Sequence, residues 1–151
     1  HARLQRVEAD ILLYLRKLSD MLEGADWRMA ICHGDFHPNN MILSRDRLTG
    51  IDLGGSARLP VCKDVARFLA HMGRRGMIPS GLRSFGVDSG GIAAFAEIFS
   101  LTETERRRTL PFFLGVEALI RVETSAAPRA RLHHAQAMYE ALREDLAEAS
   151  L

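Results

Sequence analysis

The sequence predicts an α+β chain, mostly α, in which one small β-hairpin interrupts a helical body. Three observations carry this. Long stretches repeat apolar residues at spacings of three and four, the period of a half-buried helix. Two short apolar runs, 41–43 and 48–53, flank the polar turn Ser44-Arg45-Asp46-Arg47, the pattern of a hairpin. The polar residues with chemical potential gather beside that hairpin and not along the helices.

The first helix is expected over about 3–23. Leu4, Val7, Ile11, Leu12, Leu15, Leu18 and Leu22 mark its apolar face, and Gly24 is a natural stop. Met29-Ala30-Ile31-Cys32 reads as a short strand. His33 to Asn40 is polar and holds Pro38, so it reads as a loop, with Pro38 keeping His37 out of helical geometry. The hairpin follows, with Asp52 on its returning strand, and Gly54-Gly55-Ser56 breaks the pattern. Val61, Val65, Phe68, Leu69 and Met72 make the stripe of a helix ending near Gly73. The glycine-rich stretch 77–91 reads as an irregular connection and 92–101 as a short helix. Thr102 and Glu105 form a capping-box pattern. It opens a helical stretch to about Glu123 that Pro111 kinks or splits. A last amphipathic helix is expected over 130–149.

The bulk numbers narrow the function. Hydrophobic residues make up 47% of the 151, enough to bury a core and to exclude wholesale disorder. Lys plus Arg total 20 against 19 for Asp plus Glu, a balance that leaves no electrostatic footprint for nucleic acid. Cys32 and Cys62 are too few for a disulfide framework, so a reducing cytoplasm is expected. No apolar run approaches the ~20 residues of a membrane span, so no membrane partner is expected. Nor does the chain open on a secretory signal pattern. It begins at His1 and not Met, so a processed or trimmed piece is expected.

The chemistry lies in His33-Gly34-Asp35-Phe36-His37-Pro38-Asn39-Asn40, followed by Ile51-Asp52-Leu53-Gly54. Phosphoryl transfer requires a hard cation on oxygen ligands to hold the phosphates, and a carboxylate to orient the acceptor hydroxyl and take its proton. The spacing meets that demand. Asp35 precedes Asn40 by five positions, as in the kinase catalytic-loop pattern H-x-D-x-x-x-x-N, and Asp52 follows where a kinase carries its metal-binding Asp. Other readings carry less. Cys32, His33 and His37 could be zinc ligands, but no second ligand pair has a familiar spacing. Adjacent His133 and His134 point to different helix faces, and Arg106-Arg107-Arg108 reads as a solvated helix face.

His-Gly-Asp-x-His-Pro-x-Asn, then Ile-Asp-x-Gly after a short hairpin, resembles the aminoglycoside phosphotransferase and choline kinase group. The specific part spans 31 to about 69. The resemblance implies a protein-kinase-like C-terminal lobe over 1–151, the hairpin carrying the catalytic and metal loop. It implies Asp35 as catalytic base or hydroxyl-orienting carboxylate, Asn40 and Asp52 as ligands of Mg2+ and hence of the bound nucleotide, and His33, His37 and Asp64 as structural supports of the loop. ATP would be co-substrate and a small hydroxylated molecule the acceptor.

Such an enzyme needs a nucleotide-binding lobe with a Lys for the phosphates. Lys17 and Lys63, the only lysines, are in the wrong places, and the residues before His33 read as one helix. The N-terminal lobe is therefore expected outside this chain, in cis or in trans, and the chain alone is expected to be inactive. A polycationic acceptor would call for acidic residues, of which Asp88, Glu97, Glu117 and Glu123 are candidates. With Trp27, Tyr14 and Tyr139 as the only Trp and Tyr, no aromatic cage is evident, and Trp27 reads as packing before the first strand. The alternative is a non-catalytic interaction module that self-associates through the exposed inter-lobe surface.

Overall fold

Apolar periodicity decides the body. In the computed structural model, which describes residues 2–121 and 127–151, helix α1 (Ala2–Met21) turns Val7, Ile11, Leu15 and Leu18 inward. They pack against α4 (Leu110–Ile120) and α5 (Arg129–Ala149). Helix α2 (Val61–Arg74) lies against the same two helices, burying Val65, Ala66, Leu69 and Ala70 near Met138, Leu142 and Leu146. A fully buried Leu or Met contributes roughly 1.5–3 kcal/mol, so this four-helix contact is the main source of stability. Helix α3 (Ser89–Ile98) is a smaller appendage beside α2.

The chain is α+β and mostly helical; its strands are short and all antiparallel. Strand β1 (Met29–Cys32) pairs with β4 (Ala57–Pro60), Met29 opposite Pro60 and Cys32 opposite Ala57. Between them, β2 (Met41–Ser44) and β3 (Arg47–Gly50) form a separate hairpin turned at Arg45-Asp46, with Arg45 at φ 53°. The β1–β4 ladder thus closes a loop whose two inner edges, 33–40 and 51–56, face each other.

Several expectations need correction. Asp52 is not on a strand: β3 ends at Gly50, and Asp52 takes left-handed backbone (φ 59°, ψ 55°) that leads into the 3-10 turn Leu53–Gly55. Asp tolerates this region better than most side chains. Residues 38–40, expected as extended loop, form a 3-10 turn after an extended His37. The connection 77–91 holds a two-rung ladder, β5 (Arg83–Ser84) on β6 (Val87–Asp88). Helix α3 starts at Ser89, three residues early, because Asp88 caps it by accepting from the Gly91 amide at 2.8 Å. Strand β4 was not foreseen, since four residues ending in proline give little strand signal.

Pro111 splits nothing. Helical backbone runs on through it, since Thr109 and Leu110 before it are both right-handed helical. The change of geometry comes earlier, in a π-helical turn over Glu105–Thr109. The capping box is formed: the Glu105 amide donates to Thr102 Oγ1 (3.1 Å), and the Thr102 amide to Glu105 Oε1 (3.0 Å). Glu105, 2% exposed, also accepts the Arg28 amide through Oε2 at 2.9 Å. One buried carboxylate therefore ties the entry of α4 to the start of β1. No helix among the described residues is long and apolar enough to cross a membrane.

Candidate active site

Loop 33–37 leaves β1 and runs along one side of α2. Residues 64, 67, 68 and 71 of α2 share a helix face, being three, four and seven apart. Each meets a successive loop residue. Asp64, in the first turn of α2, accepts the His33 amide (2.7 Å) and the Gly34 amide (3.0 Å). Arg67 Nε donates to Asp35 Oδ1 (2.9 Å). Phe68 stacks on Phe36 with ring centroids 5.2 Å apart, and His71 on His37 at 4.8 Å and 11°. The helix is a template against which the loop is laid, residue by residue.

Gly34 is where the template needs glycine. Its φ is +88°, and a Cβ there would collide with the carbonyl oxygen of Gly55. The two loop edges approach closest at this point. His33 bridges them. Its Nδ1 accepts the Asp35 amide (3.2 Å), which assigns the proton to Nε2, and Nε2 donates to the Ile51 carbonyl (2.7 Å). The Ile51 amide in turn donates to the Asn40 carbonyl (2.9 Å). Asp52, one residue on, is thereby held beside Asn40.

Asp35 is the centre of the constellation. Oδ1 accepts from Arg67. Oδ2 has His37 Nε2 and Asn40 Nδ2 as neighbours, each at 3.3 Å. The side chain still keeps 43% of its surface exposed, open to an incoming hydroxyl. Burial opposes its ionisation, but the hydrogen bond and charge of Arg67, then His37, outweigh that and hold its carboxyl below the usual carboxylate range. The group is ionised at neutral pH.

Asn40 is buried, and its amide orientation follows from its neighbours. Nδ2 donates to the Asp35 carbonyl at 2.9 Å; the flipped amide would set two oxygens against each other. The Asn40 Oδ1 is left free to face a ligand. Asp52 is exposed, and no described residue bonds its carboxylate. Two unengaged oxygen donors on bonded loop edges are the kind a hard divalent cation such as Mg2+ takes, so the residue types fit that ion. The zinc alternative fits poorly. Cys32 Sγ donates to the Leu59 carbonyl, both ring nitrogens of His33 are engaged, and His37 Nε2 faces Asp35. No cluster of three or more His, Cys, Asp or Glu suited to a metal exists among the described residues.

All six residues singled out in the sequence, His33, Asp35, His37, Asn40, Asp52 and Asp64, come together here. Three others went unnoticed: Arg67, His71 and Arg121. Arg67 and His71 carried a signal, since with Asp64 they make a polar stripe at helical spacing beside the apolar one. Arg121 carried none. It follows α4, more than eighty residues from the loop in the chain, and its Nη2 lies 3.7 Å from Asp35 Oδ1. Its Nε donates to Glu117 Oε2 at 2.9 Å.

The acidic candidates for a polycation pocket do not converge. Asp88 is taken up by the Ser80 hydroxyl and amide and by the α3 cap. Glu117 is buried against Arg121, and Glu97 is exposed on α3. Glu123 lies outside the described residues. Trp27 packs edge-on to Phe113 at 6.2 Å.

No curated protein and no solved structure gives a match to this chain. A family model does, that of the phosphotransferase enzyme family, over residues 1–97, which takes in α1, the whole loop constellation and α2. With nearly two thirds of its length matched, the chain belongs to the phosphotransferase enzyme family.

Proposed function

We propose that the chain is the catalytic lobe of an ATP-dependent O-phosphotransferase, kinase-like in fold, acting on a small hydroxylated molecule. The observation that supports this most is the division of labour among three side chains. Asp35 is ionised, fixed by Arg67 and open on one side. Asn40 and Asp52 present free oxygens next to it.

Asn40 Oδ1 and Asp52 would hold Mg2+, which when bound offsets phosphate charge and draws the γ-phosphoryl group into position. Asp35 orients the acceptor hydroxyl and accepts its proton as the acceptor oxygen bonds to phosphorus. The bond from the γ-phosphorus to the ADP oxygen breaks in the same transfer. His37 supports Asp35. Its Nδ1 is buried without a hydrogen-bond partner among the described residues, so the fitting tautomer carries the proton on Nε2, toward Asp35 Oδ2. His33 and Asp64 keep the two loop edges in register.

Nucleotide contacts beyond these are assigned to a second lobe, in cis or in trans. The exposed apolar residues of β1 and of the hairpin support this, because Ile31, Leu43 and Leu48 are 78%, 75% and 62% exposed. The same surface favours a second reading, a non-catalytic interaction module. The two part on one measurement, the melting temperature with Mg–ATP. The enzyme reading expects the complete protein to gain stability with Mg–ATP, through linkage of binding to folding, and expects Asp52→Asn to lose most of that gain. Concentration-dependent dimerisation with no response to magnesium and nucleotide would favour the module.

A further inference from the structure

We propose that the acceptor carries an anionic group, carboxylate or phosphate, and that Arg121 reads it; this rests on the phosphotransfer reading above. The backbone that presents Arg121 is built with unusual care for a residue at a helix end. Arg74, 3% exposed, donates to the Glu117 carbonyl and, through Nε, to Tyr139 Oη at 3.4 Å. Tyr139, also buried, donates its hydroxyl to the Arg121 carbonyl at 3.1 Å. Side chains from α2 and α5 therefore pin residues 117–121 from inside the core.

The side chain is then aimed. Its Nε is held by Glu117, whose carboxylate is buried, so the guanidinium plane has a set direction. Nη2 reaches 3.7 Å from Asp35 Oδ1, beyond hydrogen-bond distance. Asp35 needs no second cation, since Arg67 already bonds it at 2.9 Å and is itself nearly buried. The Arg121 side chain is 41% exposed, and its Nη groups donate to no described residue. The result is a half-satisfied, pre-oriented fork beside the reacting carboxylate, the geometry that suits a carboxylate or phosphate.

Charge points the same way. Two guanidinium groups flank Asp35, and of Asp88, Glu97 and Glu117, the described acidic residues expected to receive a polyamine, none is free beside it. A cationic group placed at the Arg121 fork would meet repulsion from it, and an anionic one attraction. Arg121, Glu117 and Tyr139 all lie beyond the stretch the family model matches. In the transfer itself the anionic group forms an ion pair and no covalent bond. The acceptor hydroxyl still loses its proton to Asp35 as its oxygen takes the phosphoryl group.

The test uses the complete protein with Mg–ATP and reads ADP release and phosphorylated product. Two acceptor series are compared: glycerate, glycerol 3-phosphate, glycerol and 3-amino-1,2-propanediol; then gluconate, glucose 6-phosphate, glucose and glucosamine. The expected result is an anionic member favoured over its neutral counterpart by roughly tenfold or more in kcat/KM, with the carboxylate and phosphate members telling which anion is read. Arg121→Met should erase most of that ratio through KM for the anion, with Arg121→Lys restoring part of it. Preference for the amine overturns the inference. So does ADP release independent of acceptor, a ratio unmoved by Arg121→Met, or an equal loss for all acceptors through KM for ATP. Absence of ADP formation under every condition, water included, fails the phosphotransfer reading and the inference with it.

Discussion

At the scale of single residues, the candidate site gives most of its polar atoms a partner and leaves one side of Asp35, Asn40 Oδ1 and the Asp52 carboxylate open. Asp35 keeps an open side because Arg67 and His37 take the others, and Asn40 keeps a free oxygen because its nitrogen is engaged. His71 shows the cost of such close work. Burial, then the charges of Arg75, His37, Arg67 and Arg74, push its pKa down to about 4. The unfolded chain, with an ordinary pKa near 6.5, binds that proton more readily. Stability from this group is therefore complete above pH ~6.5 and lost as the pH falls toward 4, with a slope of up to ~1.4 kcal/mol per pH unit. Urea titrations across that window should show the decline, and His71→Phe, which keeps a ring against His37, should flatten it. An unchanged slope in the variant would mean that other groups set the acid limit.

At the scale of elements, α2 is the organiser. Its apolar face builds the core while its other face holds the loop, so folding of the body and assembly of the site are one event. Arg67 is the strongest link in that contact, and Arg67→Met tests it. With the guanidinium gone, the opposition of burial to ionisation acts with less to counter it. The Asp35 pKa should rise, and the acid limb of the kcat profile should move to higher pH. A profile lowered in height but not displaced would make Arg67 a merely structural support. This contact also explains what the sequence made legible. The apolar stripe of α2 stood out because helical periodicity repeats over fourteen residues. The loop stood out because its residues are contiguous and chemically unusual. Strand β4 and the ladder of β5 and β6 did not, since strands of four and two residues are defined by their partners and not by their own composition. Arg121 was invisible for a similar reason: only the packing of α4 between α2 and α5 brings it to the loop. Asp52 was placed on the right segment but in the wrong geometry, because a left-handed residue after a strand leaves no mark on apolar periodicity.

At the scale of the whole molecule, the fold separates a packed helical body from an exposed hairpin. The body is stabilised by apolar contact among α1, α2, α4 and α5. The hairpin contributes little to that core and exposes Leu43 and Leu48 instead. Such a surface suits a second lobe that brings the nucleotide to Asn40 and Asp52, and the chain without that lobe is expected to turn over ATP weakly or not at all. The central claim, that Asp35 is the base of a phosphoryl transfer, is tested most directly by comparing Asp35→Asn with the parent in the complete protein. Phosphoryl transfer from Mg–ATP to an acceptor should fall by roughly 10²–10⁴-fold, while nucleotide affinity by calorimetry stays close to the parent's. Transfer at the parent rate with Asp35→Asn would contradict the account.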